Sequence, residues 1–252
     1  MSDVHMEEAK KVIKESSARG LTLRVLGGVA IKYYCPSTSR LPLKRHIADI
    51  DFFGLSRQSG DIIKLFKDLG YIPSVKFNAM HGKKRLLFFE PNTNERRDII
   101  FDVFEMCHRF DFRKRLNIDD FAISLADLLL TKLQIIEINE RDYKDITAML
   151  LDHEIGANDE KGVINGNYIS NLCSKDWGVY KTITRNLNWL IEYLDKLNLE
   201  KEKKNLVEKR ARKLLNMIEA KPKSLKWKLR AKIGERMAWY ELPEAPKTIK
   251  LG

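Results

Sequence analysis

In the run Ala48-Asp49-Ile50-Asp51-Phe52-Phe53, carboxylates alternate with apolar residues. A period of two marks a strand, so Asp49 and Asp51 leave one face and Ile50 and Phe52 the other. Carboxylates held side by side repel one another, and burial raises that cost. A fold that contains this strand, predicted over 47–53, must therefore set its acidic face against a cation or against water. A second alternating strand, predicted over 98–105, carries Asp102 inside an apolar run where strand propensity does not favour it.

The pattern around these strands is mixed. A helix over 6–18 is closed by Gly20, and a short apolar strand over 21–26 runs into Gly27-Gly28. A helix over 29–34 is stopped by Pro36, and 37–45 is a basic, turn-rich loop. An amphipathic helix spans 61–69, and strands are predicted over 72–77 and 85–89 with a turn at 81–84. From Ser124 the period becomes helical. Ser124 with Asp127 is close to a capping box for a helix over 125–138, and a second helix follows over 141–152. The polar, Gly/Asn-rich stretch 156–166 is the best domain boundary. Helices are predicted beyond it over 176–197, over 200–220 and after Pro222. Strands first and helices afterwards predict an α+β fold, a mixed sheet flanked by helices over 1–156 and an all-helical domain over 157–252.

Charge is distributed unevenly. The 252 residues hold 46 Lys+Arg and 35 Asp+Glu, a net of +11, yet residues 201–252 alone hold 16 and 6. Nearly all the excess thus sits in the last fifth, which points to a polyanion and favours nucleic acid over an anionic membrane surface. Trp227, Trp239 and Tyr240 are interleaved with these cations, suited either to stacking on bases or to packing in the core. Cys35, Cys107 and Cys173 lie far apart with no CxxC pair, which speaks against a disulfide framework or a zinc site and for a reducing cytoplasm. No apolar run reaches the roughly 20 residues of a membrane helix, and the N-terminus has no signal core.

Oxygen-only ligation by Asp49 and Asp51 suits Mg²⁺, which takes a few carboxylates together with substrate phosphates. A third carboxylate beside the pair would complete a two-metal site for phosphoryl or nucleotidyl transfer. Asp98 and Asp102 share strand parity, so either can serve. Asp102 is favoured because Asp98 stands beside Arg96 and Arg97, where a solvated ion pair accounts for it. Gly27-Gly28, between a strand and a helix, lets backbone amides approach a phosphate. The diglycine fits neither GxGxxG nor a P-loop, and no Ser/His/Asp or Cys/His set presents itself.

The order Leu26-Gly27-Gly28-Val29-Ala30, then Arg45-His46-Ile47-Ala48-Asp49-Ile50-Asp51-Phe52-Phe53, then Asp102 resembles the polymerase-β-type nucleotidyltransferase superfamily. Within it, Leu129-Leu130-Thr131-Lys132-Leu133 followed by Glu140-Arg141-Asp142-Tyr143-Lys144-Asp145-Ile146 resembles the AbiEii-like abortive-infection toxin group. The resemblance covers roughly residues 21–152. It implies that Gly27 and Gly28 cradle a nucleoside triphosphate, that Asp49, Asp51 and Asp102 hold two Mg²⁺ ions, and that Lys132 touches the triphosphate. Asp145 would stand near the nucleotide or acceptor, with Asp142 beside it. Read without the resemblance, Lys132 is a solvated lysine, and Arg141, Asp142 and Asp145 are local helix pairing. Val29 stands where many relatives have Ser or Thr, and Ile47 where a small hydroxyl residue is common.

What the resemblance implies is a magnesium-dependent transfer of a nucleoside monophosphate from an NTP to an acceptor hydroxyl. RNA, tRNA in particular, is the preferred acceptor, and a toxin with a partner antitoxin the implied setting. A small-molecule nucleotidyltransferase of the aminoglycoside type and a non-catalytic RNA-binding module are the alternatives. The basic tail speaks against the first and the intact carboxylates against the second.

Overall fold

The computed structural model describes residues 4–44 and 46–242; Arg45 of the motif above and the last ten residues of the basic segment lie outside them. The first part of the chain comprises α1 (Val4–Ala18), β1 (Leu23–Leu26), α2 (Gly27–Tyr34), β2 (Ile50–Gly54), α3 (Ser59–Asp68), β3 (Ile72–Pro73), α4 (Val75–His81), β4 (Arg85–Phe89), β5 (Arg96–Phe101), β6 (Val103–Glu105) and β7 (Arg109–Asp111). There follow α5 (Leu125–Leu133), α6 (Glu140–Asp152), β8 (Glu154–Gly156), β9 (Val163–Asn165), α7 (Gly166–Lys175), α8 (Trp177–Tyr193), α9 (Lys201–Ala220) and α10 (Leu225–Ile233).

Five strands form one mixed sheet in the order β1-β2-β5-β4-β3. Only β2 and β5 run parallel; the other neighbours are antiparallel. One face is apolar: Phe52 packs edge-on against Phe66 of α3, and Phe66 stacks on Phe88 at 4.9 Å. Arg97 also leaves on this face, 1% exposed, and its guanidinium is gripped by Glu8 of α1 at 2.7 and 2.8 Å. The opposite face carries Asp51 and Asp98. The chain is thus α+β, a mixed sheet flanked by helices and followed by a helical C-terminal region.

The strand predicted over 47–53 begins only at Ile50, which leaves Asp49 outside it, and three further elements differ from expectation for local reasons. The strand predicted over 72–77 ends at Pro73, which has no N–H for the ladder. Beyond it the chain turns into α4, whose Asn78 side chain bonds both the N–H and the C=O of Leu87. The strand predicted over 98–105 starts at Arg96 and breaks at Asp102, which adopts φ 60°. Asp tolerates that left-handed conformation better than an apolar residue would. The helix predicted over 125–138 stops at Leu133, where Asn186 of α8 donates to the carbonyls of Leu133 and Ile135 at 2.8 and 2.7 Å and satisfies the helix end.

Within α5 every residue except Lys132 is buried, as expected of a helix enclosed by others. One continuous apolar core runs from Ala9 of α1 through α5 and α6 to Ile218 of α9. Polar contacts cross 156/157 as well: Arg210 of α9 donates to the carbonyls of Leu150 and Leu151 at the end of α6. Among the described residues no helix is long and apolar enough to cross a membrane.

Candidate active site

Strand register assembles the site. In the antiparallel β1/β2 pair, Leu26 lies opposite Asp51, so the chain turns into α2 directly over that carboxylate. Gly27 makes the turn at φ 67°, and a Cβ there would stand 2.4 Å from Asp51 Oδ2. Both the backbone conformation and the close approach demand glycine. Gly27 and Gly28 are the first two residues of α2, whose start no side chain caps.

In the parallel β2/β5 pair, Asp51 lies directly beside Asp98. Neighbours across a ladder share a face, so the two carboxylates stand together. Asp98 is 3% exposed, and both its oxygens are taken: Oδ1 accepts from Arg85 Nε at 2.6 Å and Oδ2 from an Arg96 terminal nitrogen at 2.9 Å. Burial pushes the Asp51 carboxyl up to about 7; Asp49 and Asp98 add to the shift, while Arg85 and Lys132 oppose it. Four charged groups thus act on Asp51. Asp49 precedes β2 and is exposed.

Asp102 is held elsewhere: it follows the end of β5, four residues beyond Asp98, and its carboxylate accepts from the Ser56 N–H at 3.1 Å and from the Ser56 hydroxyl. Parity left Asp98 and Asp102 equivalent; register separates them, and Asp98 is the neighbour of Asp51. The ion pair expected for Asp98 exists, but the carboxylate is buried, and Arg97 plays no part because it leaves on the other face.

Lys132, in the last turn of α5, is 3.0 Å from Asp142 and 2.9 Å from Asp145 of α6. Asp145 is 2% exposed. Asp142 also completes a capping box with Asn139, which gives it a helix-starting role as well. The helix pair α5/α6 therefore delivers one cation and two carboxylates toward the acidic face of the sheet. Arg96 is the ion-pair partner expected for Asp98, whereas motif reading does not single out Arg85. The available signal was an arginine opening the otherwise apolar run Arg85-Leu86-Leu87-Phe88-Phe89.

Trp227 and Trp239 are half-buried, Trp227 edge-on to Tyr180 at 5.1 Å and Trp239 edge-on to Trp177 at 6.0 Å. Among the described residues no three His, Cys, Asp or Glu side chains converge as a metal cluster.

No family model and no curated sequence matches the chain. A similar solved structure is that of the antibiotic-resistance factor ANT(2'')-Ia, described as having substrate-regulated conformation dynamics. It shares 11% sequence identity at a TM-score of 0.38, covering 87% of this chain and 97% of that one. Overlap at that level carries no chemistry, so the functional reading rests on the residues themselves.

Proposed function

We propose that this chain is a nucleotidyltransferase that moves a nucleoside monophosphate from an NTP to a hydroxyl of RNA. The observation that supports it most is the register Leu26–Asp51–Asp98, which sets two carboxylates side by side under a glycine turn at a helix start. In stability terms this is a poor arrangement, since Asp51 is held against two like charges. A group that costs stability where a residue such as Asn would not is a mark of use.

The donor set fits Mg²⁺: every candidate ligand is a carboxylate oxygen, and Gly27 leaves beside Asp51 the room a Cβ would take. Asp49 and Asp51 would hold the ion, with Asp98 as the third carboxylate in the place expected of Asp102, and a second ion would share the site. Bound there, the metal supplies charge neutralisation for the phosphates. The protein's own groups do the rest. Amides at Gly27 and Gly28 receive triphosphate oxygens, and Lys132 contributes a point charge to the same oxygens, positioned by Asp145 and Asp142. The basic outer face of α9 tracks the RNA backbone. Action on tRNA would make the activity toxic, the setting in which an antitoxin partner belongs.

The test is incubation of purified protein with Mg²⁺, total tRNA and each α-labelled NTP in turn, read on a denaturing gel, beside Asp51→Asn. Label on tRNA with the wild type and none with the variant is expected. Because the substitution removes a charge disfavoured by desolvation and by Asp49 and Asp98, its thermal midpoint should be no lower than the wild type's. Equal labelling by Asp51→Asn would sink the proposal, and label on no RNA would move the acceptor to a small molecule or protein.

A further inference from the structure

Two arginine–carboxylate pairs on neighbouring residues of β5 are built differently. On the apolar face Arg97 is 1% exposed, takes both oxygens of Glu8 and is also 3.2 Å from Glu95. Nothing in that pair can leave without stranding a buried charge, so it is structural. On the acidic face the burial is reversed. The Asp98 side chain is 5% exposed, but its partners Arg85 and Arg96 are 43% and 44% exposed. There the carboxylate is fixed, and the cations reach it from the solvent side.

Each Asp98 oxygen already has a guanidinium at hydrogen-bond distance. Asp98 can therefore join Asp51 as a cation ligand only if one arginine moves off. Arg85 is the one placed to do so. It projects from β4, opposite Ile100 and diagonal to Asp98, acts electrostatically on Asp51, and already lies 5.8 Å from the centroid of the Phe77 ring while its Nε bonds Asp98. Aromatic faces hold guanidinium groups well, so moving off Asp98 does not leave the charge unsupported.

We propose that Arg85 is a positioning residue that competes with a divalent cation for the Asp98 carboxylate, so that the third carboxylate enters the site by exchange of one counter-ion for another. The inference rests on the nucleotidyltransferase reading and adds to it a residue that motif reading does not single out.

The experiment measures Mn²⁺ binding to the full chain by loss of the free-ion EPR signal, for wild type, Arg85→Gln, Arg85→Lys and Arg96→Gln. Arg85→Gln frees Oδ1 and removes a positive charge, so Mn²⁺ should bind about tenfold tighter than to wild type, the scale of one charge-assisted hydrogen bond. Arg85→Lys keeps the charge and should stay near wild type. Should Arg85→Gln fail to fold by circular dichroism, Arg96→Gln frees Oδ2 and should tighten binding in the same direction. A purely structural ion pair would lower the thermal midpoint and leave the affinity for Mn²⁺ alone. Unchanged or weaker binding in folded Arg85→Gln overturns the inference while leaving the nucleotidyltransferase reading in place. No Mn²⁺ binding by any of the four proteins overturns both.

Discussion

His108 shows how one side chain ties the sheet-based part of the chain to the later helices. Its backbone N–H donates to Gln134 Oε1 at 2.8 Å, and its Nε2 meets the Thr182 hydroxyl of α8 at 2.8 Å. Burial lowers its pKa to about 4, with Asp176 opposing and Arg185 adding to the shift. The ring is thus neutral in the folded protein at pH values where an unfolded chain already binds a proton. Between about 6.5 and 4 the unfolded state holds the extra proton, so stability falls as the medium is acidified through that window. The loss should reach at most about 3 kcal/mol by pH 4. Thermal melts across pH 4–7 should show it, and His108→Asn should flatten the slope; an equally steep profile in the variant would assign the effect elsewhere. Individual residues were unevenly legible. The Asp49/Asp51 spacing is plain in the sequence, but β2 begins only at Ile50 and leaves Asp49 exposed ahead of it, whereas Gly27 stands between strand and helix as expected. Arg85 does not stand out, because an arginine at the start of an apolar strand looks like an ordinary solvated end.

Elements were easier to read than the pairings between them. The helices over 6–18, 141–152 and 200–220 were visible from period and caps alone, and each lies within a residue or two of where it was expected. The pairing of Asp51 with Asp98 was not, because parity along one strand is a local property whereas register depends on which strand lies alongside. α5 illustrates the same limit at its far end: its stop at Leu133 is set by Asn186, about fifty residues later. Its near end is fixed by a charged knot that no motif revealed. Arg115 donates to Asp127 at 2.8 and 2.9 Å and to Asp159 at 2.9 and 3.1 Å, with its guanidinium 3.6 Å from the centroid of the Tyr168 ring of α7. Asp127 is 1% exposed. Arg115→Ala should therefore cost about 3–5 kcal/mol, the penalty for leaving a buried charge without its partner. Denaturant melts of Arg115→Ala beside Arg115→Ala/Asp127→Asn would check it. The double variant should recover much of the loss if the stranded carboxylate is the cause.

At the scale of the molecule, the asymmetry of charge becomes a surface. α9 buries Val207, Ala211, Leu214 and Ile218 on one side and leaves Lys209, Arg212 and Lys213 exposed on the other. If that face grips RNA, binding of labelled tRNA, followed by anisotropy, should weaken steeply with salt. Replacing these three residues with Gln should reduce the log–log slope by about 2. An unaltered slope would place the contact on another part of the chain.

The continuous core from Ala9 to Ile218 also bears on how the chain is made. Every residue of the candidate site has been synthesised by position 145, yet the helices that cover the apolar sides of α5 and α6 come afterwards, ending with α9. Until α9 emerges, the growing polypeptide carries its whole complement of candidate catalytic groups on a scaffold with an uncovered flank. The apolar flank of α5 and α6 is thus closed only when the last long helix joins it, so the scaffold that carries the candidate site is completed late in synthesis.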